Sequence, residues 1–138
     1  MASYASSSGL AGAIEDAQSP SWSLRASAGG RLAPYAGVPS AADALERLLL
    51  DPEDTAVTRE TAHALLMQRS FSAVRLVALA VARADDNQAD WLHTAAQDLV
   101  WQQGEVGRDI SALCAFLADD PHSDVQRGAA EILRWTAA

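Results

Sequence analysis

Three histidines are the side chains in this sequence best suited to metal binding or proton transfer, but their spacing favours neither. A catalytic metal site needs closely spaced ligands, such as an HExxH motif or a histidine–carboxylate pair repeated in neighbouring segments. His63, His93 and His122 form no such pattern. The sequence also lacks a Ser-His-Asp pattern, a glycine-rich phosphate loop and a cysteine motif. We therefore expect surface or inter-helix histidines, with no cofactor, no metal and no enzymatic activity.

A column of basic side chains could instead serve as a binding ladder. Its members stand 34 residues apart, at Arg25, Arg59, His93 and Arg127. A column of aspartates has the same period, at Asp51, Asp85 and Asp119. This shared period indicates that both columns belong to a repeated structural unit.

The repeat extends beyond these two columns. Segments 57–65, 91–99 and 125–133 align at a spacing of 34 without gaps, and 23–28 is a degenerate fourth copy. Apolar residues within each segment recur every three or four positions, which is typical of a helix facing a core. Upstream, 10–16 resembles half of a unit and is expected to cap the N-terminal end.

The sequence predicts an all-α fold of about eight helices. Their expected ranges are 8–17, 20–32, 40–50, 53–67, 70–84, 88–102, 105–118 and 122–136. No run shows the alternation and turn signals of strands. Residues 1–7 are expected to form a flexible tail, and residues 8–138 a single repeat domain.

The segment Asp119–Leu133 resembles the first helix of a HEAT-like repeat, with Asp-Pro, polar residues, Val and Arg, then Ala-Ala and Leu. The segment Asp51–Arg59 matches less fully, and Trp91 and His93 replace the expected Val and Arg. This resemblance covers about residues 19–138. It implies an α-α superhelix, a right-handed stack of helical hairpins with half-repeat caps. Another helical hairpin repeat or a non-solenoid bundle is the alternative, although tetratricopeptide and ankyrin motifs are absent.

The same resemblance gives the Arg/His column a structural interpretation. In HEAT-like proteins, similarly placed arginines bond to aspartates at the turns of a neighbouring repeat. The resemblance therefore implies an Asp–Arg ladder that fixes the register of stacked repeats. An exposed ladder for a ligand is the alternative.

The second helices of the hairpins are expected to carry the variable surface. Their columns at Leu45 and Ala42 face the core. The segment Leu76–Ala82 is apolar all round, so it must be buried on both sides or present an apolar patch. Either the stack encloses this helix, or Val77 and Val81 form the centre of a binding surface with an acidic rim.

The tryptophans and the single cysteine have packing interpretations. Trp91 shares a column with Val57 and is expected in the core. Trp101 and Trp135 share another column, as inter-repeat packing or as an exposed pair for a partner. Cys114 lies in an apolar helical run and is expected at or near the core.

Composition limits the possible partners. The formal net charge is −8, from 10 basic residues, all Arg, against 18 acidic ones. Phosphate-backbone binding needs a basic stripe, so nucleic acid is disfavoured as a partner. No signal-peptide pattern opens the sequence, and no apolar run is long enough to span a bilayer, so we expect a cytoplasmic protein without a membrane partner.

These features predict a non-enzymatic module that binds another protein on a concave surface. It resembles bacterial immunity or inhibitor proteins that block a basic toxin or enzyme, and equally small adaptors. The residues expected to contact the partner are Asp43, Glu46, Arg47, Val77, Ala80, Val81, Asp109 and Ser111. The alternative is a homodimeric scaffold built through the same patch, in place of a monomer. A HEAT-like protein that processes nucleic acid is a third, less favoured interpretation.

Overall fold

The computed structural model describes residues 2–137, with side chains from residue 9. Within that range the chain forms eight α-helices, one 3-10 turn at Ala33–Tyr35 and no strand. The α-helices are α1 Ala2–Asp16, α2 Trp22–Leu32, α3 Pro39–Leu49, α4 Thr55–Gln68, α5 Phe71–Arg83, α6 Asp86–Gln102, α7 Gly104–Leu117 and α8 Ser123–Thr136. The all-α class and the helix positions are confirmed. The first helix begins at Ala2, earlier than expected, and the flexibility of residues 1–7 stays a prediction.

Polar side chains set where the helices begin. Asp54 accepts the N–H of Ala56 at the start of α4, and Ser70 accepts the N–H of Ala73 at the start of α5. At α6, Asp85 and Gln88 form a reciprocal capping box. Each cap satisfies backbone donors that have no partner inside the helix. Short polar connections can therefore turn the chain sharply between helices.

The helices form two layers. The first helices α2, α4 and α6 pack side by side in chain order, and the second helices α3, α5 and α7 do the same behind them. The apolar columns of the repeat meet between the layers, where Leu65, Leu99 and Ile110 are fully buried. Hydrophobic burial between the layers is the main stabilising term of such an arrangement.

The last helix departs from this pattern. In the 34-residue register α8 should extend the first layer beyond α6, but its most extensive contacts are with α5. The two helices touch backbone to backbone, since a Cβ built on Gly128 would lie 2.9 Å from the Ala78 Cα and closer still to the Ala78 carbonyl. Helix α8 therefore ends the array by packing on the second layer.

The packing of α8 on α5 buries residues that were predicted to form an exposed binding patch. Helix α5 is contacted by α3, α4, α7 and α8, so almost no side remains open. Val77 is 1% exposed, and Ala80 and Val81 are buried as well. The prediction that these residues form an exposed apolar surface is wrong, and the alternative, an enclosed central helix, is what the structure has.

The Asp–Arg ladder forms at its first rung. The Arg25 Nε and Nη2 atoms donate to the two oxygens of Asp51 at 2.9 and 3.3 Å, and both side chains are buried. Arg25 also donates to the carbonyl oxygens of Ser19 and Pro20. The hydrogen bonds with Asp51 raise the pKa of the Arg25 guanidinium. This rung ties α2 to the loop that precedes α4.

The other predicted rungs are wrong. Arg59 bonds to Asp98 on α6, at 3.0 Å, instead of Asp85, which caps α6. His93, which the spacing of the first rung would pair with Asp119, stacks on Trp135, and Arg127 bonds to Asp124 within its own helix. The last loop is held by Asp120, which accepts two hydrogen bonds from Arg75 of α5. The packing of α8 on α5 brings the last loop to Arg75, whereas Arg59 finds its partner on the adjacent helix α6.

The Arg75–Asp120 pair is expected to make stability depend on pH in the acid range. Hydrogen bonds from Arg75, and one from the backbone N–H of His122, lower the pKa of Asp120. A lowered folded-state pKa contributes stability above the unfolded value, about 3.9, and that contribution is lost as pH falls through the folded value. Thermal unfolding between pH 6 and pH 2 should show Asp120→Asn less stable than wild type near neutrality. The difference should shrink below about pH 4.

An exposed carboxylate gives the matched control for this series. Asp90→Asn should leave both the stability and its acid dependence close to wild type. A constant difference between Asp120→Asn and wild type across the whole range would contradict the role of this ion pair.

Candidate functional site

The structure does not bring the eight predicted partner-binding residues together. The two predicted sites on α7 make internal contacts: Asp109 pairs with Arg69 at 3.3 Å, and Ser111 bonds to Thr136 of α8 at 2.7 Å. Helix α5 lies between α3 and α7, so the α3 and α7 residues are separated. With the α5 residues buried, the predicted set splits into separate pieces.

The α3 piece lies in a shallow hollow of about 490 Å³, lined by Asp43, Glu46, Arg47, Leu50 and Pro52. Glu46 accepts a hydrogen bond from Arg83 at 2.5 Å, and Arg83 also bonds to Asp124 of α8 at 3.2 Å. These bonds raise the pKa of Arg83. Arg83 of α5 thus links α3 to α8, whereas Asp43 and Arg47 are exposed and accessible to a partner.

A second hollow, a groove across the first layer, was not expected from the sequence. Its volume is about 560 Å³. Helices α2 and α6 form its walls and α4 its floor, and the lining residues are Ala26, Ser27, Gly30, Arg59, Glu60, His63, Ala95, Asp98 and Gln102. The α2 wall consists of small residues, and a Cβ on Gly30 would meet nothing within 4 Å. The small side chains on α2 leave this side of the groove open.

The groove carries an excess of negative charge. Arg59 donates to Asp98 across it at 3.0 Å, and the two side chains are half-exposed. Glu60 and His63 are exposed beside this pair. Apart from His63, the charged groups that line the groove are the carboxylates of Glu60 and Asp98 and the guanidinium of Arg59. The groove therefore favours a positively charged group.

Trp101 lies on α6, outside the residues that line the groove. It follows Asp98 by three residues, so helical spacing makes these two side chains neighbours. It is 85% exposed, the highest value among the large apolar side chains that the structure describes. Its repeat counterpart Trp135 instead stacks on His93 at 4.9 Å. One tryptophan of this column packs between helices, and the other is available to a partner.

The remaining predictions on single residues have mixed outcomes. Trp91 is half-buried, and its neighbour Leu92 fills the core position. Cys114 is buried as expected, and burial raises the pKa of its thiol to about 12. The His122 Nδ1 atom accepts the N–H of Asp124 at the start of α8.

Metal binding has no visible site in this part of the chain. Among the described residues, no group of three or more His, Cys, Asp or Glu side chains is placed to hold an ion. The three histidines have separate surroundings: the groove, the face of Trp135 and the first turn of α8.

Sequence reasoning missed the groove because it compared repeats for agreement. The columns of Ala26, Ser27 and Gly30 hold small residues in other copies as well, among them Gly128, Ala95 and Ala64, so these positions gave no distinct signal.

Comparison with known proteins gives no relative from which to transfer a role: no family model, no curated protein and no solved structure matches the chain. None of the helices in the described range is both long and apolar enough to cross a membrane.

Proposed function

We propose that this protein is a non-enzymatic interaction module, a HEAT-like stack of helical hairpins that holds a basic segment of another protein in its first-layer groove. The observation that carries this proposal is the groove itself, which the carboxylates of Glu60 and Asp98 line, with the exposed Trp101 three residues after Asp98. The 34-residue register and the order α2, α4, α6 support the HEAT-like arrangement. Helix α8 ends that stack by packing on α5.

The groove suits an arginine or lysine side chain. A cation in the groove gains an ion pair with Glu60 or Asp98, and beside Asp98 it also reaches the face of Trp101. The aliphatic part of that side chain would pack against Ala26, Gly30 and Ala95. An incoming guanidinium could also share Asp98 with Arg59. These contacts combine charge with apolar packing, which a small inorganic cation could not use.

The rest of the molecule favours the same class of partner. A net charge of −8 accelerates encounter with a basic protein and repels acidic ones. A stable interface buries about 800 Å² on each partner, so the groove would form the centre of a larger contact. Tryptophan and arginine are enriched among the residues that dominate binding energy. Trp101 and Arg59 supply both types.

Two biological roles are compatible with this surface. An inhibitor or immunity protein would cover a functional basic patch on a toxin or enzyme, and an adaptor would hold a basic tail without blocking activity. Both require protein binding without catalysis. The acidic charge that favours a basic protein also disfavours a nucleic-acid partner.

Capture from the native source tests the groove. Immobilised wild type should retain a basic protein whose recovery falls about 30-fold with Trp101→Ser and about tenfold with Glu60→Gln, the range for loss of a central contact. Quantitative mass spectrometry measures recovery. Retention should also weaken as salt is raised, because the contact is partly ionic.

Matched controls separate the groove from general effects. Trp22→Ser removes another exposed tryptophan, and Glu15→Gln removes an exposed carboxylate on α1. Both should bind like wild type. Equal recovery with Trp101→Ser and Trp22→Ser, or no protein retained by wild type above Trp101→Ser, would contradict the proposal.

A further inference from the structure

A second exposed apolar feature lies on the other layer of helices. Phe71, at the start of α5, and Phe116, near the end of α7, are 44% and 74% exposed. Their rings meet edge to face with centroids 6.1 Å apart. An aromatic pair in contact with itself but open to water exposes apolar area that most monomers cover.

The exposed face of α7 continues this surface. Glu105, Arg108, Ala112 and Ala115 recur at helical spacing and are exposed, leading to Phe116. The two alanines leave the middle of the stripe flat. A flat helical face permits another helix to approach closely, because interaxial distance depends on the side chains at the contact.

Charges beside this patch are balanced. Arg69 pairs with Asp109, and Arg75 pairs with Asp120. The negative charge of the whole chain is therefore not concentrated here. A basic partner gains little on this face, while a second acidic copy meets little repulsion there.

We propose that Phe71, Phe116 and the exposed stripe of α7, which together form the phenylalanine patch, dock a second copy of this chain about a two-fold axis. A two-fold contact buries the same patch on both copies, so that patch must carry both hydrogen-bond donors and acceptors. Arg69 and Asp109 provide one of each and can exchange ion pairs between copies. Phe116 of one copy covers Phe71 of the other, and the Ala112 side chains meet near the axis.

The size of the patch sets the strength of the dimer. The stripe from Glu105 to Phe116 is about 17 Å long at 1.5 Å per residue. With the start of α5 added, the interface falls at the small end of the specific range, where association is weak and depends on concentration. We therefore expect a dimer that forms in the micromolar range or above.

Mass measurement by light scattering or sedimentation tests the dimer on the full chain. Across protein concentrations from about 1 μM to about 1 mM, the range of weak to moderate association, wild type should pass from one chain to two. Phe116→Ser should stay a single chain at every concentration. Trp101→Ser, which removes a more exposed aromatic residue on the other layer, should dimerise like wild type.

Cross-linking locates the contact independently. Ala112→Cys should give a disulfide-linked dimer under mild oxidation, whereas Ala130→Cys, an exposed position on α8, should not. Cys114 adds no background because it is buried and its thiol has a pKa of about 12. A wild type that stays a single chain throughout, a Phe116→Ser variant that dimerises normally, or equal cross-linking at both positions would overturn the proposal. The patch variants Phe116→Ser and Ala112→Cys leave every groove residue unchanged. The proposal of a dimer can therefore fail while the proposed binding of a basic segment in the groove stands.

Discussion

Replacing Gly128 by alanine is expected to destabilise the protein by about 3 kcal/mol, toward the upper end of the usual range for forcing an extra methyl group into a packed core. The new Cβ would overlap the backbone of Ala78, and backbone cannot rotate away as a flexible side chain can. Helices α5 and α8 would have to separate along their main contact. Urea unfolding followed by circular dichroism measures the loss as a lower midpoint.

An alanine substitution at Gly30 is expected to change the free energy of unfolding in the opposite direction from the one at Gly128. Gly30 lies inside α2, where an added Cβ meets nothing within 4 Å. Gly30→Ala should stabilise the protein by about 0.5–1 kcal/mol, because alanine loses less conformational entropy than glycine in a helix. If both substitutions shifted stability in the same direction by similar amounts, the close approach of α5 and α8 would be contradicted.

Replacing Arg25 by methionine is expected to cost about 3–5 kcal/mol, the usual loss when one partner of a buried ion pair is removed. The substitution leaves the Asp51 carboxylate buried without its cation. It also removes the donors to the carbonyl oxygens of Ser19 and Pro20. Chemical denaturation at neutral pH measures the effect.

Arg59→Met is the matched control, since its ion pair with Asp98 is half-exposed. Such surface pairs contribute about 0–1 kcal/mol, so this variant should remain close to wild type. The double variant Arg25→Met with Asp51→Leu should recover only part of the loss. Asp51 also accepts the backbone N–H groups of Glu53 and Asp54, at 3.2 and 2.8 Å. Similar losses for Arg25→Met and Arg59→Met would refute a special role for the buried rung.

The two proposed surfaces have a joint consequence. The groove belongs to the first layer and the phenylalanine patch to the second, so a dimer formed through the patch would keep two grooves open. Two linked grooves would bind a partner carrying several basic segments more tightly than one groove does. Comparing wild type with Phe116→Ser on such a partner would separate this avidity from the affinity of a single groove.

Much of the architecture could be predicted from periodicity. The spacing of apolar residues identified eight helices, and the 34-residue register placed columns such as Leu45 and Leu99 in the core, where both are fully buried. The resemblance to HEAT-like repeats implied an Asp–Arg ladder, and of its rungs the Arg25–Asp51 pair formed. These features depend on contacts between neighbouring repeats, which the register itself specifies.

The site could be predicted much less well. The sequence left open whether Val77 and Val81 form a surface or lie in an enclosed helix, because a periodic argument cannot show where α8 packs. Gly128 was the available signal, since glycine inside a helix is costly and often marks a close approach. The groove and the exposure of Trp101 arise from the absence of filling side chains and from the end of the stack.

The sequence by itself determined the helices, their order and the apolar faces that join neighbouring units, because those depend on local spacing. Only the tertiary structure decided which faces stay open. Helix α8 encloses α5, while small residues on α2 open a groove above α4. Burial depends on contacts between residues far apart in the chain, and the same apolar helix is core or surface according to what packs on it.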